Sequence, residues 1–352
     1  MKFSLFTEIQ CPAGSSPDVR LNEFLEQAEL ADRFGFYGFW IAEIHCQPRF
    51  SLLSAPYVVL GAAAQRTRRL RLGVAVNTLP IHHPVHLAEQ AAMLDLISQG
   101  RMDFAAGGGH PHSRAYECFG ADHKSTHDIM AEGFEIIRRA WSEETLIFNG
   151  KFFQIPEVVV NPKPVQRPLP PFYMATSSLE GVEVGARLGV NLLLPIHTRS
   201  PEQVIEFANA YWAGLKQQGH DPKTKELGLL VPMHLAPMTA EAKARSEAGI
   251  MSYFKTIADM RVDYTEWLTR RGDELPARLK TAAGAIVNFE TICSRHAVVG
   301  DSEATVHALK ELGQKTGATH FLTWHNIGSV PHSQVKESME QFGAEVMPQL
   351  KE

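Results

Sequence analysis

A chain of 352 residues, 44% hydrophobic and 21% charged, has the composition of a globular protein with a large core. Its net charge of -5 and pI near 6.4 leave no basic excess to grip phosphate backbones, which argues against a nucleic-acid partner. Its four cysteines, Cys11, Cys46, Cys118 and Cys293, form no CxxC pair, which argues against a disulfide framework or a zinc ribbon.

Lys2 to Phe6 is a strand, followed by a Pro/Gly/Ser loop from Cys11 to Pro17. Leu21 to Phe34 places Leu21, Phe24, Leu25, Ala28 and Ala31 on one helical face, and Gly35 is its C-cap. The stretch FGFYGFWIAEIHC (34–46) then carries a short apolar strand that breaks into Glu43-Ile44-His45. A carboxylate and an imidazole at a strand exit are candidates for chemistry, or a core Glu with a loop His. Ser54 to Arg66 is a helix, Arg69 to Val76 a strand, Pro84 to Ile97 a helix, and Arg101 to Ala106 a strand ending in Gly107-Gly108-Gly109-His110. His127 to Trp141 is a helix.

Residues 142–170 lack a clear period and read as an excursion outside the barrel wall, with a hairpin around Asn149-Gly150. Strands follow at Phe172–Ala175, Val190–Leu194, Leu227–Leu235 and His320–Trp324. Helices lie between and after them at Glu180–Leu188, Pro201–Gln218, Ala240–Phe254, Ser302–Thr316 and Ser333–Met347. Residues 255–295 are charged and weakly periodic, and read as a mobile lid insertion over the barrel mouth, with Arg270-Arg271 open to protease. About eight strand–helix units predict an α/β fold, a (β/α)8 TIM barrel with insertions. No Gly-x-Gly-x-x-Gly follows the first strand, which weakens a dinucleotide site.

A barrel gathers its strand exits on one face. Those exits hold Glu43 and His45, Ala75 to Thr78, Gly107 to His110, Thr176-Ser177-Ser178, and Trp324-His325. Three glycines let a backbone approach a flat ligand, or form a plain turn. The hydroxyls of Thr176, Ser177 and Ser178 at a helix start suit a phosphate, or cap the helix without one. Phe6, Trp324, Phe39 and Met233 line an apolar pocket or belong to the core. His82, His83 and His86 raise a metal site, but neighbouring His82 and His83 do not easily face one ion, and no metal is expected. There is no G-x-S-x-G elbow.

FGFYGFWIAEIH, RLRLGVAVNTLPIHHPVHLAEQAAMLDLISQGRMDFAAGGG and SMEQFGAEVMPQL, in this order and spacing, resemble the bacterial luciferase-like family of flavin-dependent monooxygenases. The similarity covers nearly the whole chain, which makes 1–352 one luciferase-like barrel domain. It implies reduced FMN at the carboxyl face, supplied by a separate NAD(P)H-dependent flavin reductase. Oxygen then gives a flavin hydroperoxide that oxygenates a small organic substrate, by hydroxylation or Baeyer–Villiger insertion. It implies a non-proline cis peptide at Ala75-Val76 under the flavin. Glu43, Asn77 and Gly107 to Gly109 would lie around the ring, and Thr176, Ser177 and Ser178 at the phosphate. His45 and His110 become the catalytic candidates, with Phe6, Trp324 and His325 in the substrate pocket.

Two departures stand out. Ile44 replaces the first His of the family's Glu-His-His, which speaks against light emission by the luciferase route. Gly108 stands where some relatives have an arginine, which leaves the phosphate to hydroxyls, backbone N–H groups and another cation. Alternative readings are a deazaflavin-dependent hydride transferase and a non-catalytic partner subunit. Helices 54–66 and 84–97, rich in Ala and Leu, suit the homodimer that the resemblance implies. With no signal peptide or membrane span in the sequence, the expected location is the cytoplasm.

Overall fold

The structure, a computed structural model, describes residues 1–12, 14–110, 114–121, 125–275 and 288–350. Its core is a closed ring of eight parallel strands: β1 (Lys2–Thr7), β2 (Gly38–Ile41), β3 (Arg71–Val74), β4 (Met102–Gly107), β5 (Phe172–Ala175), β6 (Asn191–Pro195), β7 (Leu227–Leu235) and β8 (His320–Trp324). Each strand pairs with the next, and β8 closes on β1 through Lys2–His320 to Leu5–Thr323. Helices fill the connections, and the first, Pro17–Phe34, stops at Gly35 (φ 72), where the left-handed backbone favours glycine.

Strand alternation decides what fills the ring. Phe3 packs outward on Phe342 (5.4 Å) and Phe39 outward on Phe24 (4.8 Å), so Phe39 is shell core and not pocket. Ser4, Phe6 and Trp40 point inward. The Ser4 hydroxyl pairs with His320 Nε2 at 2.7 Å, Phe6 meets Trp324 edge-on at 5.4 Å, and Trp40 meets Tyr173 at 5.2 Å. Gly73 makes the space for Trp40: a Cβ there would lie 2.3 Å from the indole. Below this layer, Arg71 holds Asp103 at 2.6 Å and Tyr173 donates to Glu226 at 3.1 Å, which plugs the N-terminal end with polar side chains. That end of a barrel serves stability, so the opposite face is where chemistry belongs.

Two expectations need correction. The strand expected over 69–76 ends at Val74. A cis peptide at Ala75-Val76 turns the chain, and Asn77–Thr78 pairs separately with β4. Much of 255–295 is helical. Thr239–Arg271 is one continuous helix, Phe289–Arg295 is another, and 276–287 lie outside the described residues. The long helix keeps a narrow buried stripe (Ile250, Tyr253, Met260, Tyr264, Leu268) on an otherwise charged surface. Composition hides such a stripe where period 3.6 reveals it. Val298–Gly300 is a short parallel strand on the end of β7. In the excursion, Leu146–Asn149 and Gln154–Val158 form an antiparallel hairpin off the barrel sheet. Among the described residues no helix is long and apolar enough to cross a membrane.

The long helix also crosses the carboxyl face. Tyr253 stands edge-on over Trp324 at 4.8 Å, Asp263 pairs with Arg49 at 2.6 Å, and Tyr264 donates to Glu117 at 3.0 Å. Together with the short helix Ala115–Phe119 it roofs the barrel mouth.

Candidate active site

Glu43 leaves the end of β2 buried at 4% exposure and gathers three donors. Its Oε1 accepts from His45 Nε2 at 2.7 Å and from His82 Nε2, and its Oε2 accepts the Thr78 backbone N–H at 2.7 Å. Burial alone would raise its pKa. The hydrogen bonds from His45 and His82, the charge of His82 and the Thr78 N–H outweigh burial and hold the carboxyl near 2, so it is ionised. An ionised carboxylate only accepts, which makes both Nε2 atoms donors. The three ligating atoms lie within 4.8 Å of one another, the one such set of metal-capable groups among the described residues. The spacing HHxxH therefore resolves into one useful ring. His82 turns inward after the 3₁₀ turn Leu79–Ile81, His83 packs on Phe153 at 5.9 Å, and His86 bonds Gln90 at the surface.

The cleft over this triad is lined by Glu43, Ile44, His45, Thr78, His110, Ala115 and Tyr116. Sequence reasoning paired His45 with His110 as catalytic candidates, and the fold does bring both to this one cleft. Phe119 covers the His45 ring at 4.9 Å, and Phe50 lies against His110 at 5.1 Å. Ile44, which stands in place of a histidine, is buried and bonded through its N–H to Leu53.

Beside the cleft the chain passes close over itself. A Cβ on Gly107 would come within 2.8 Å of Val76 and 2.9 Å of the Ala175 carbonyl, and one on Gly109 (φ 73) within 2.6 Å of Thr78. Only glycine allows this packing, which presents bare backbone beside the cis peptide. Asn77 donates to the Ala105 carbonyl at 2.7 Å, while its buried Oδ1 has no partner among the described residues. A buried acceptor left open in this way suits a ring N–H of a flat ligand.

Thr176, Ser177 and Ser178 close the far end. Ser178 caps helix Leu179–Leu188 by accepting from Gly181 N–H at 3.2 Å, and Thr176 Oγ1 accepts from Ser178 N–H at 3.1 Å. Arg199, from the loop after β6, donates from Nε to the Ser177 carbonyl at 2.7 Å. Sequence spacing gave no hint of it, because 22 residues separate the two. It is a cation beside hydroxyls and a helix N-terminus, a set that suits a phosphate.

Of the residues expected in the substrate pocket, Phe6 and Trp324 face the barrel mouth. His325 does not. With Trp324 inward, the next residue points outward, and His325 bonds Ser338 at 2.8 Å and packs on Phe342 behind the barrel. Burial pushes its pKa down to about 3.

The profile described as luciferase-like monooxygenase matches residues 1–320. The oxygenase component of the flavin-dependent trigonelline monooxygenase of Acinetobacter baylyi is 27% identical over all of this chain and 96% of its own length. Monooxygenase RslO1 from Streptomyces bottropensis superposes with a TM-score of 0.83 at 26% identity, over 99% of each chain. The oxygenating constituent of 3,6-diketocamphane monooxygenase from Pseudomonas putida, solved with FMN, shares the fold with a TM-score of 0.80 at 17% identity, over 99% and 98% of the two chains.

Proposed function

We propose, from the premise that the chain belongs to the luciferase-like monooxygenase family, that it is the oxygenase of a two-component system. It takes reduced FMN from a separate NAD(P)H-dependent reductase and oxygenates a small organic molecule with O2. The observation that carries this reading is the bare backbone of Gly107 and Gly109 packed on Ala75-Val76, with the open acceptor of Asn77 beside it. Thr176, Ser177, Ser178 and Arg199 would hold the phosphate. Reduced flavin, when bound, supplies the two electrons that activate oxygen.

This chain's own residues then do three things. The glycine loop and Asn77 orient the ring. The roof formed by helix Thr239–Arg271 and helix Ala115–Phe119 excludes water from the cleft. His45 donates its Nε2 proton to the Glu43 carboxylate, which fixes the ring and stabilises its charged form, so that the ring's other nitrogen can hold or move a proton for a reacting oxygen. His110 is the second titratable group in the same cleft. His45→Ala leaves the barrel core intact, so folding and flavin binding persist while coupled turnover falls roughly 10²–10⁴-fold and peroxide replaces product.

The reading is tested by anaerobic titration of the protein with reduced FMN, oxidised FMN and a reduced deazaflavin. Tight binding of reduced FMN over the deazaflavin supports it. Preference for the deazaflavin sinks it.

A further inference from the structure

The inward-facing series of β1 runs Lys2, Ser4, Phe6, and its next member is Glu8. Glu8 lies one residue past the strand end on that side, at the carboxyl mouth, close enough for its charge to act on Tyr253. It is 7% exposed, and among the described residues its carboxyl has no cationic partner. Gln10 donates to its Oε2 at 2.9 Å, and Gln10 is in turn fixed by the Gly328 N–H at 3.2 Å. The intervening Ile9 adopts φ 47, a left-handed backbone that a β-branched residue rarely takes. Such strain at a strand exit marks a position imposed by its surroundings.

The walls around it are aromatic. Tyr253 lies 5.6 Å from Phe50 and 4.8 Å from Trp324, and His197 packs on both Tyr253 and Trp324. His197 Nε2 meets the Tyr253 hydroxyl at 3.4 Å, while its buried Nδ1 has no partner among the described residues. If Tyr253 donates to Nε2, the remaining tautomer carries a proton on Nδ1 and offers a second unused donor.

We propose that Glu8 and His197, which both approach Tyr253, form the polar end of the substrate pocket, and that the pocket takes an uncharged ring compound whose carbonyl oxygen accepts hydrogen bonds from these donors. The proposal deepens the monooxygenase reading and rests on it. Among the described residues no cation pairs with the Glu8 carboxyl to receive an anion, and the ring faces suit a flat or alicyclic body. Burial, only partly offset by the Gln10 amide, raises the Glu8 carboxyl to about 8, so the group carries its proton at neutral pH.

The neighbours do not titrate in the same range. Burial holds His197 near 3, and burial together with the charge of Glu8 lifts Tyr253 well above its ordinary value. Arg20 is occupied by the Gln10 carbonyl, Glu23 and Asn326. His110 stands behind Phe50 and is the group to control for.

The test is calorimetric binding of acetophenone to the full-length protein between pH 6 and 9.5, with ethylbenzene, benzoate and benzyltrimethylammonium as comparators. Acetophenone is expected to bind in preference to all three, and to weaken above pH 8 as Glu8 loses its proton. Glu8→Gln keeps a donor, so it should bind near the wild-type level without the pH limb. Glu8→Leu should bind roughly tenfold more weakly at every pH, the loss of one buried hydrogen bond. A pH limb that persists in Glu8→Gln belongs to another group and overturns the proposal. So does a preference for the cation or the anion, or equal binding of ethylbenzene. Binding of reduced FMN should be unchanged in both variants. If FMN fails to bind even the wild type, the monooxygenase reading has failed and not this one.

Discussion

Replacing Glu43 by Gln probes the triad at the strand exit. The native carboxylate accepts three donors, two imidazole Nε2–H groups and the fixed Thr78 backbone N–H. A glutamine amide has one acceptor oxygen. Only one orientation satisfies every group: oxygen on the Thr78 N–H, and the amide nitrogen donating to both rings. That orientation forces His45 and His82 into tautomers protonated at Nδ1, with Nε2 now accepting. The opposite orientation sets two N–H groups against each other and costs about 1–3 kcal/mol. The variant should therefore fold with both rings switched.

Charge adds a pH signature. The native carboxyl is held near 2 against an ordinary 4.5, which at 1.36 kcal/mol per unit contributes roughly 3 kcal/mol to stability. A depressed pKa means that this contribution is present above about pH 4.5 and is lost as pH falls towards 2. Glu43→Gln lacks it throughout, so the stability difference from wild type should shrink as pH drops. Nitrogen-15 NMR of labelled histidines reads the tautomers, and denaturant unfolding between pH 3 and 7 reads the stability. Without the carboxylate that orients His45 and stabilises its charged form, coupled turnover should fall roughly 10²–10⁴-fold, as for removal of His45 itself. Nε2-protonated rings together with unchanged turnover in Glu43→Gln would refute the reasoning.

Other expectations follow from particular contacts. Arg199→Ala should weaken binding of reduced FMN about tenfold or more while leaving riboflavin unaffected, because only FMN carries the phosphate; equal loss for both would remove Arg199 from that role. Gly73→Ala drives a Cβ to 2.3 Å from Trp40 and should destabilise by about 1–3 kcal/mol, and Trp40→Leu in the same chain should relieve it; an unshifted melting temperature would contradict the packing described. Met93, Leu96 and Ile97 are exposed on helix Pro84–Ile97, as is Val58 on the neighbouring helix, and a homodimer would bury them. Met93→Glu with Leu96→Glu should therefore give a monomer by light scattering, and a wild-type monomer at micromolar concentration would end the dimer reading.

The barrel was legible because strand–helix alternation repeats through nearly the whole chain and each apolar run ends in turn residues. The inward or outward sense of each side chain was also present in the alternation, and applying it would have separated Trp324 from His325. What stayed hidden depended on three-dimensional turns. His82 reaches Glu43 only because a single 3₁₀ turn at Leu79–Ile81 folds the chain back. Arg199 reaches Ser177 across two strand exits, and no local pattern announces that meeting. Glu8 sits two residues past Phe6 on the same face, yet a lone acid in a loop-like stretch reads as solvated. The helix beyond Phe254 was missed because its charged surface outweighs one narrow apolar stripe.

On the proposed function, this cleft would activate oxygen at a reduced flavin and deliver it to an organic molecule. The most direct measurement supplies reduced FMN from a generic NADH-dependent reductase under ¹⁸O₂ and screens ring ketones and related compounds by mass spectrometry. A product carrying one ¹⁸O atom is expected, made with little free peroxide by the wild-type chain and with mostly peroxide by His45→Ala. Substrate oxidation with no ¹⁸O incorporated, or hydride transfer that proceeds without oxygen, would contradict it.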